Sequence, residues 1–270
     1  RLLIAGILTI GLAYIRDGKR IFSIFTEPKD IGKLLVFGIL GIALAQYSYF
    51  KSIAISGVGI ATVLQNVAPT LIIIYLFLRY FKKPSVPEFF CIVLALVGTL
   101  CIVMQEGLDV SNFNVLALFW GLVSAASICL YTLQPIELLK KYGTTSIVGF
   151  AMFICGILSL AMFQQVESEA LWDGMTWLGL FAIIILGTVV SFNAYMEGVT
   201  LIGALQGSIL SSLEPISAAI FGWVLLGNHF TLVGIFGMIC IIATVFIIAW
   251  DRHRQIKREV LEKLNKVEMK

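Results

Sequence analysis

Glu214 is the residue in this chain best placed to do chemistry. It lies between Leu213 and Pro215 inside an apolar run from Gly203 to Leu226, with Ser208, Ser211 and Ser212 just before it. A carboxylate there can bind a cationic group, carry a proton, or accept hydrogen bonds from a neighbouring helix. The plainer alternative is a protonated or serine-bonded carboxyl that only ties helices together. A second proline, Pro69, follows a comparable polar step, Gln65-Asn66, near the middle of the run from Gly57 to Leu78. Proline removes a helical hydrogen bond and frees a carbonyl about four residues earlier. Pro69 and Pro215 are therefore expected to kink their helices beside polar side chains, either as part of a site or as kinks packed by neighbours. Gln46, Tyr47, Ser48 and Tyr49 form a further polar group, Ser191, Asn193 and Tyr195 another, and Ser124, Ser127, Tyr131 and Gln134 share one face at helical spacing. Each serves equally well as a contact to a bound solute or as a hydrogen bond between helices.

Other chemistries lack their parts. The two histidines, His229 and His253, fall at a turn and in the tail, which leaves no histidine-centred triad or zinc site. The chain carries no Walker A sequence, and Gly57-Val-Gly-Ile-Ala-Thr62 lacks the third glycine of a dinucleotide loop. Cys91, Cys101, Cys129, Cys155 and Cys240 all lie within apolar runs without ligand spacing, so they read as packing residues. No catalytic residue, metal or cofactor is expected.

The elements that must position these residues are membrane helices. Apolar runs span Leu2–Ile15, Leu34–Ile53, Gly57–Leu78, Val86–Met104, Val115–Leu133, Thr145–Phe163, Trp177–Val199, Gly203–Leu226 and Phe230–Trp250. Most approach the roughly 20 residues a helix needs to cross a hydrocarbon core of about 30 Å. A composition of 59% hydrophobic and 13% charged residues, with mean hydropathy +0.98, agrees. The runs are unbroken rather than alternating, which favours helices over barrel strands. The expected fold is all-α and polytopic, with nine transmembrane helices in this chain.

Of the 19 Lys and Arg residues, 17 fall at alternate gaps between runs, the exceptions being Arg1 and Lys51. Arg16, Lys19, Arg20, Lys29 and Lys33 follow the first run, Arg79, Lys82 and Lys83 the third, Lys140 and Lys141 the fifth, and seven cations the last. The intervening gaps hold Glu106 and Asp109, then Glu167, Glu169 and Asp173. Cytoplasmic loops accumulate Lys and Arg near helix ends, so the basic gaps and the C-terminus are expected in the cytoplasm. Trp172, Trp177, Trp223 and Trp250 fall near expected helix ends, as an aromatic belt requires.

Sliding the chain by 146 residues places Gly41 on Gly187, Tyr49 on Tyr195, Gly57 on Gly203, Leu64 on Leu210 and Pro69 on Pro215, without a gap from residues 33–104 to 179–250. Identity is only about one position in seven, but the order of elements repeats. Five crossings separate equivalent points, and five is odd, so the copies are expected to be inverted across the bilayer. Inverted repeats with interrupted helices near the midplane are the architecture of secondary transporters. The expected units are residues 1–104, an outer linker 105–112, a second repeat 113–250 and a basic tail 251–270. The chain starts at Arg1 with an apolar run, which reads as the second helix of a ten-helix protein. The small-xxx-small spacing of Gly203 to Gly207, matched by Gly57 to Ala61, is expected to serve helix packing.

Ser212-Leu-Glu-Pro-Ile-Ser-Ala-Ala219, then Phe221-Gly-Trp-Val-Leu-Leu-Gly227 and a further span, resembles the EamA-type repeat of the drug/metabolite transporter superfamily. Gln65-Asn66-Val-Ala-Pro69-Thr70 is similar to a degenerate first copy, and Arg1-Leu-Leu-Ile-Ala-Gly6 to the start of that family's second helix. Where the family pattern has Gly-Glu after the ninth helix, this chain has Gly227-Asn228, and in the first half Phe81-Lys82. The resemblance implies ten helices, a central cavity between the halves, and export or exchange of small metabolites, amino acids or drugs. Substrate is expected at Glu214, Ser212, Asn66 and Gln65, with Gln46, Tyr49, Asn193 and Tyr195 next. The expected partners are a small solute and membrane lipids, with a homodimer allowed and no nucleic acid, in a bacterial plasma membrane. A membrane-embedded enzyme or lipid-handling protein is the competing class.

Overall fold

The computed structural model describes residues 1–81, 85–105, 114–162, 173–226 and 231–268, and every regular element among them is helical. The first helix, α1 (Leu2–Asp17), ends at Gly18, whose φ of +60° turns the chain into a 3₁₀ segment, Gly18–Thr26. A long helical run, Pro28–Gln65, follows and contains a π-helical stretch, Phe37–Ala43. Gly57, at φ +82°, divides this run into α2 (residues 28–56) and α3 (residues 58–65). After a break come α4 (Ala68–Tyr80) and α5 (Val86–Gln105). Ser85 and Glu88 close a capping box at the start of α5: the Ser85 amide donates to Glu88 Oε2 at 2.9 Å and the Glu88 amide to Ser85 Oγ at 3.3 Å.

The second half opens with α6 (Val115–Leu133), then a bend at Pro135, then α7 (Ile136–Tyr142) and α8 (Thr144–Met162). Next comes α9 (Gly174–Ile202), with its own π stretch at Ile185–Val190. Asp173 caps α9. Its Oδ1 accepts from the Thr176 hydroxyl at 2.6 Å and amide at 2.8 Å, and these bonds hold the carboxyl below its usual pKa. The chain then runs through α10 (Ala204–Ser211), α11 (Glu214–Leu226) and α12 (Leu232–Glu268). The basic tail is thus, through Glu268, a continuation of the last helix.

Six helices among the described residues are long and apolar enough to cross a membrane: Pro28–Gln65, Val86–Met104, Val115–Tyr142, Thr144–Ala161, Gly174–Ile202 and Leu232–Asp251. This is fewer than the nine expected runs, for two physical reasons. The runs beginning at Gly57 and Gly203 are cut into half-helices around their prolines, and α1 has only 16 residues. Gly57 and Gly203 (φ +82° and +100°) also serve a different purpose from the expected packing, because each makes a turn that an L side chain rarely adopts. Close packing belongs to Gly59, where a Cβ would come within 2.5 Å of Val103, and to Gly207, where it would come within 2.9 Å of Val199. Glu106, Asp109, Glu167, Glu169, Lys82, Lys83, Trp172 and the Gly227–Asn228 step lie outside the described residues.

Glycines also set the tightest interhelix contacts. A Cβ on Gly6 would meet the Phe153 backbone at 2.6 Å, one on Gly156 would meet Leu3 at 2.4 Å, and one on Gly149 would meet Ile10 at 3.0 Å. As numbers rise along α1 they fall along α8, so the two helices run antiparallel. The pair α5 and α12 behaves alike: Cβ atoms on Gly98 and Gly237 would each strike the other's carbonyl, at 2.7 and 2.6 Å, while Cys91 donates to the Thr244 carbonyl at 3.6 Å. The third close pair is α2 with α6. Ser52 donates to the Ala117 carbonyl at 3.1 Å, Ser124 to the Ala45 carbonyl at 3.2 Å, and a Cβ on Gly41 would reach Tyr131 at 2.8 Å.

Candidate functional site

Two helix breaks frame the centre of the bundle. The first falls at Asn66-Val67: the Asn66 amide still reaches the Thr62 carbonyl, the Val67 amide tightens onto Leu64 at 3.2 Å, and the new helix begins with Thr70 bonded to Val67. The second falls at Ser212-Leu213, where both amides make the same tightened bonds, to Ile209 and Leu210, each at 3.1 Å. Each proline therefore stands in the first turn of a new half-helix, where a missing N–H costs nothing. It starts a helix after an interruption rather than kinking a continuous one. The N-termini of α4 and α11 point their dipoles at this region, and Glu214, in the first turn of α11, is an acid at a favourable helix end.

A cavity of about 530 Å³ opens between the breaks. Six of the expected binding residues line it: Gln46 and Tyr49 from α2, Gln65 and Asn66 from the first break, Tyr195 from α9, and Glu214 from α11. Pro69 is on its wall, whereas Pro215, Ser212 and Asn193 are not among its lining residues. Asn193 donates to the Val189 carbonyl of its own helix at 2.7 Å, and Ser212 Oγ is buried without a hydrogen-bond partner among the described residues. Of the other polar and aromatic lining residues, Tyr131, Ser191, Ser208 and Ser211 already stood out as polar groups within apolar runs, whereas Arg1, Phe50 and Phe192 did not. Phe50 and Phe192 carried no signal, because an aromatic ring in an apolar run does not stand out from its neighbours.

The wall chemistry is polar but sparsely charged. Glu214 is open to the cavity and forms no ion pair among the described residues. Arg1 donates to Gln46 Oε1 at 3.3 Å. Tyr49 shares a hydrogen bond of 3.1 Å with Thr62, and Tyr195 one of 3.0 Å with Thr132, with Ser208 also in hydrogen-bonding reach of Tyr195. Tyr131 packs edge-on to Tyr195, ring centroids 6.2 Å apart, and also contacts Phe192. One carboxylate, three amides and several hydroxyls around an aromatic floor can hold a small solute bearing an amine.

The end of the bundle that carries Lys33 and Lys141 is cross-linked by charge. Lys33 pairs with Glu137 at 2.7 Å, and Lys141 with both Glu27 and Asp30 at 2.8 Å. The Tyr142 hydroxyl donates to buried Asp30 at 2.8 Å, and Gln134 to the Lys33 carbonyl at 2.9 Å. These contacts anchor α2 to the α6–α7 bend. Ser124 and Gln134, two of the four residues on the shared face of α6, thus act as helix ties, while Tyr131 faces the cavity.

Comparison with known proteins accords with this architecture. The profile of the EamA-like transporter family matches residues 1–104 and 115–250. An uncharacterized inner membrane transporter of Salmonella typhimurium, YicL, is 33% identical over 257 residues, covering 95% of this chain and 85% of its own. The threonine/homoserine exporter RhtA of Escherichia coli is 26% identical over 211 residues, covering 78% and 68%. A crystal structure of another protein superposes with a TM-score of 0.74 at 16% identity, covering 92% of this chain and 84% of that one, a likeness of fold alone. Several helices able to span a bilayer, transporter relatives and a matched profile together describe a multi-pass bacterial membrane transporter of small solutes. The chain belongs to the EamA-like transporter family.

Proposed function

We propose that this protein exports or exchanges a small amine-bearing metabolite, of amino-acid size, through the cavity between its two helix breaks, by alternating access. The observation that carries the reading is that both breaks and a lone carboxylate, Glu214, meet in one cavity of about 530 Å³. Irregular backbone at membrane depth is tolerated only against protein or a wet cavity. Half-helix ends pointing at a midplane site are a transporter feature. The amino-acid cargo named for RhtA points the same way. In this reading Glu214 holds the amine, the amides of Gln46, Gln65 and Asn66 bind polar groups, and the aromatic rings exclude water.

The duplication supports alternating access. The turn glycines Gly57 and Gly203, the breaks at Asn66-Val67 and Ser212-Leu213, and the hydroxyl partners Thr62 and Ser208 each stand 146 residues apart. The antiparallel pairs add a reciprocal pattern. Leu3 meets Gly156 as Ile10 meets Gly149, and Cys91 meets Thr244 as Gly98 meets Gly237, with equivalents exchanged in each case. Reciprocal contact of this kind is what a two-fold axis produces, and it supports two units inverted about such an axis. Counted that way, the half-helices join into nine crossings, and the Lys- and Arg-rich ends with the C-terminus lie in the cytoplasm. Efflux from proteoliposomes loaded with labelled amino acids tests the proposal. The parent should release at least one of them faster than empty-vector controls, and no release of any amine-bearing solute would overturn it.

A further inference from the structure

We propose that a groove between α1, the 3₁₀ segment Gly18–Thr26 and α8 is the seat of an anionic phospholipid. The groove encloses about 480 Å³ and is walled by Ile7, Ile10, Phe22, Phe25, Phe150 and Ile154, with almost no polar surface. It is separate from the solute cavity and shares no lining residue with it.

The 3₁₀ geometry explains how nine residues build this seat. With three residues per turn, positions i and i+3 eclipse, so the segment presents three rows. Ile21 and Ile24 form the buried row, at 1% and 0% exposure, and bolt the segment to the core. Arg20, Ser23 and Thr26 form a polar row whose hydroxyls are satisfied locally, Ser23 on the Arg20 carbonyl at 2.6 Å and Thr26 on the Ser23 carbonyl at 2.7 Å. Lys19, Phe22 and Phe25 form the third, a cation at the head of two exposed rings. Phe25 meets Phe150 edge-on at 5.1 Å and Phe22 lies 6.0 Å from the same ring, so the groove floor spans two elements. The Gly6, Gly149 and Gly156 contacts between α1 and α8 make that floor rigid.

The charges select the occupant. Lys19 heads the row that carries Phe22 and Phe25 into the groove, and Arg16 and Arg20 are its neighbours in sequence, with one acid among them, Asp17, whose carboxylate lies 3.7 Å from Arg16. A net positive charge therefore remains beside an apolar slot, at the end of the bundle where cations cluster. A phosphodiester headgroup with an acyl chain matches both parts. Amphipathic segments with Lys or Arg beside Phe lie in the membrane interface, and basic pockets beside membrane helices bind anionic headgroups.

Native mass spectrometry of the full chain in neutral detergent, with equimolar phosphatidylglycerol and phosphatidylcholine of identical chains, tests this directly. The parent should retain phosphatidylglycerol in excess, and Lys19→Gln with Arg20→Gln should cut that excess by about fivefold per cation. Ile7→Trp, which fills the slot from an exposed position, should lower retention of both lipids. Equal retention by the parent, an unchanged ratio in the double variant, or unchanged lipid in the filled variant would each overturn the proposal. The readout is independent of transport, so it stands or falls apart from the solute site.

Discussion

Glu214 combines three properties that a binding carboxylate needs: a helix N-terminus, a cavity in front of it, and no ion-pair partner among the described residues. A charge-assisted hydrogen bond to a bound amine contributes about 1.5–3 kcal/mol. Glu214→Gln should therefore weaken apparent solute affinity by roughly 10- to 100-fold at normal expression. Initial efflux rates across a concentration series would reveal the change, and a variant with parental kinetics would remove Glu214 from the site. Tyr195→Phe addresses the wall instead. Loss of the 3.0 Å bond to Thr132 should shift the equilibrium between conformers by up to about tenfold. The shift would be seen as altered reactivity of a cysteine placed at Ser211, with solute affinity nearly kept. Glu214, Asn66 and Gln65 were legible in the sequence because polar groups in an apolar run have few places to go. Asn193 lies off the cavity because two residues along a helix are about 200° around it, and Ser212 because it sits at the break itself. Proximity in sequence to Glu214 or Tyr195 did not carry them onto the same face.

At the scale of elements, glycines decide which helices can touch, and they permit a sharp contrast. Ala at Gly98 or Gly237 would put a Cβ against a backbone carbonyl at 2.7 or 2.6 Å, and backbone cannot rotate away. Overpacking of this kind costs typically 1–3 kcal/mol. Gly98→Ala and Gly237→Ala should each lower the thermal unfolding midpoint in detergent by several degrees, whereas Gly11→Ala, which meets open space, should be neutral or slightly stabilising. Long helices were readable from hydropathy because spanning lipid demands unbroken apolar stretches. Their interruptions were less so. Proline marked the neighbourhood of each break, but the tightened bonds fall two or three residues earlier, at Asn66-Val67 and Ser212-Leu213. The segment Gly18–Thr26 looked like a charged connection because its three-residue period matches neither helix nor strand templates. Its burial of Ile21 and Ile24 emerges only once the surrounding helices are in place.

At the scale of the molecule, sidedness joins the charge pattern to the transport cycle. Lys33, Glu137, Lys141 and Asp30 cross-link one end of the bundle, while the cavity wall includes Arg1 and Phe50. If cations sort to the cytoplasm, the cross-linked end faces inside. That ordering requires an odd number of crossings between residues 109 and 140, supplied by α6 alone. Single cysteines at Asp109→Cys and Lys140→Cys decide the matter, because Cys91, Cys129, Cys155 and Cys240 are buried and Cys101 is partly so. With a membrane-impermeant maleimide, the cysteine at 109 should label in intact cells and that at 140 only after lysis. Labelling of both from one side would invert or abolish the alternation. Two units laid in opposite senses could then no longer share the cavity, and the duplication at 146 residues would have to be parallel.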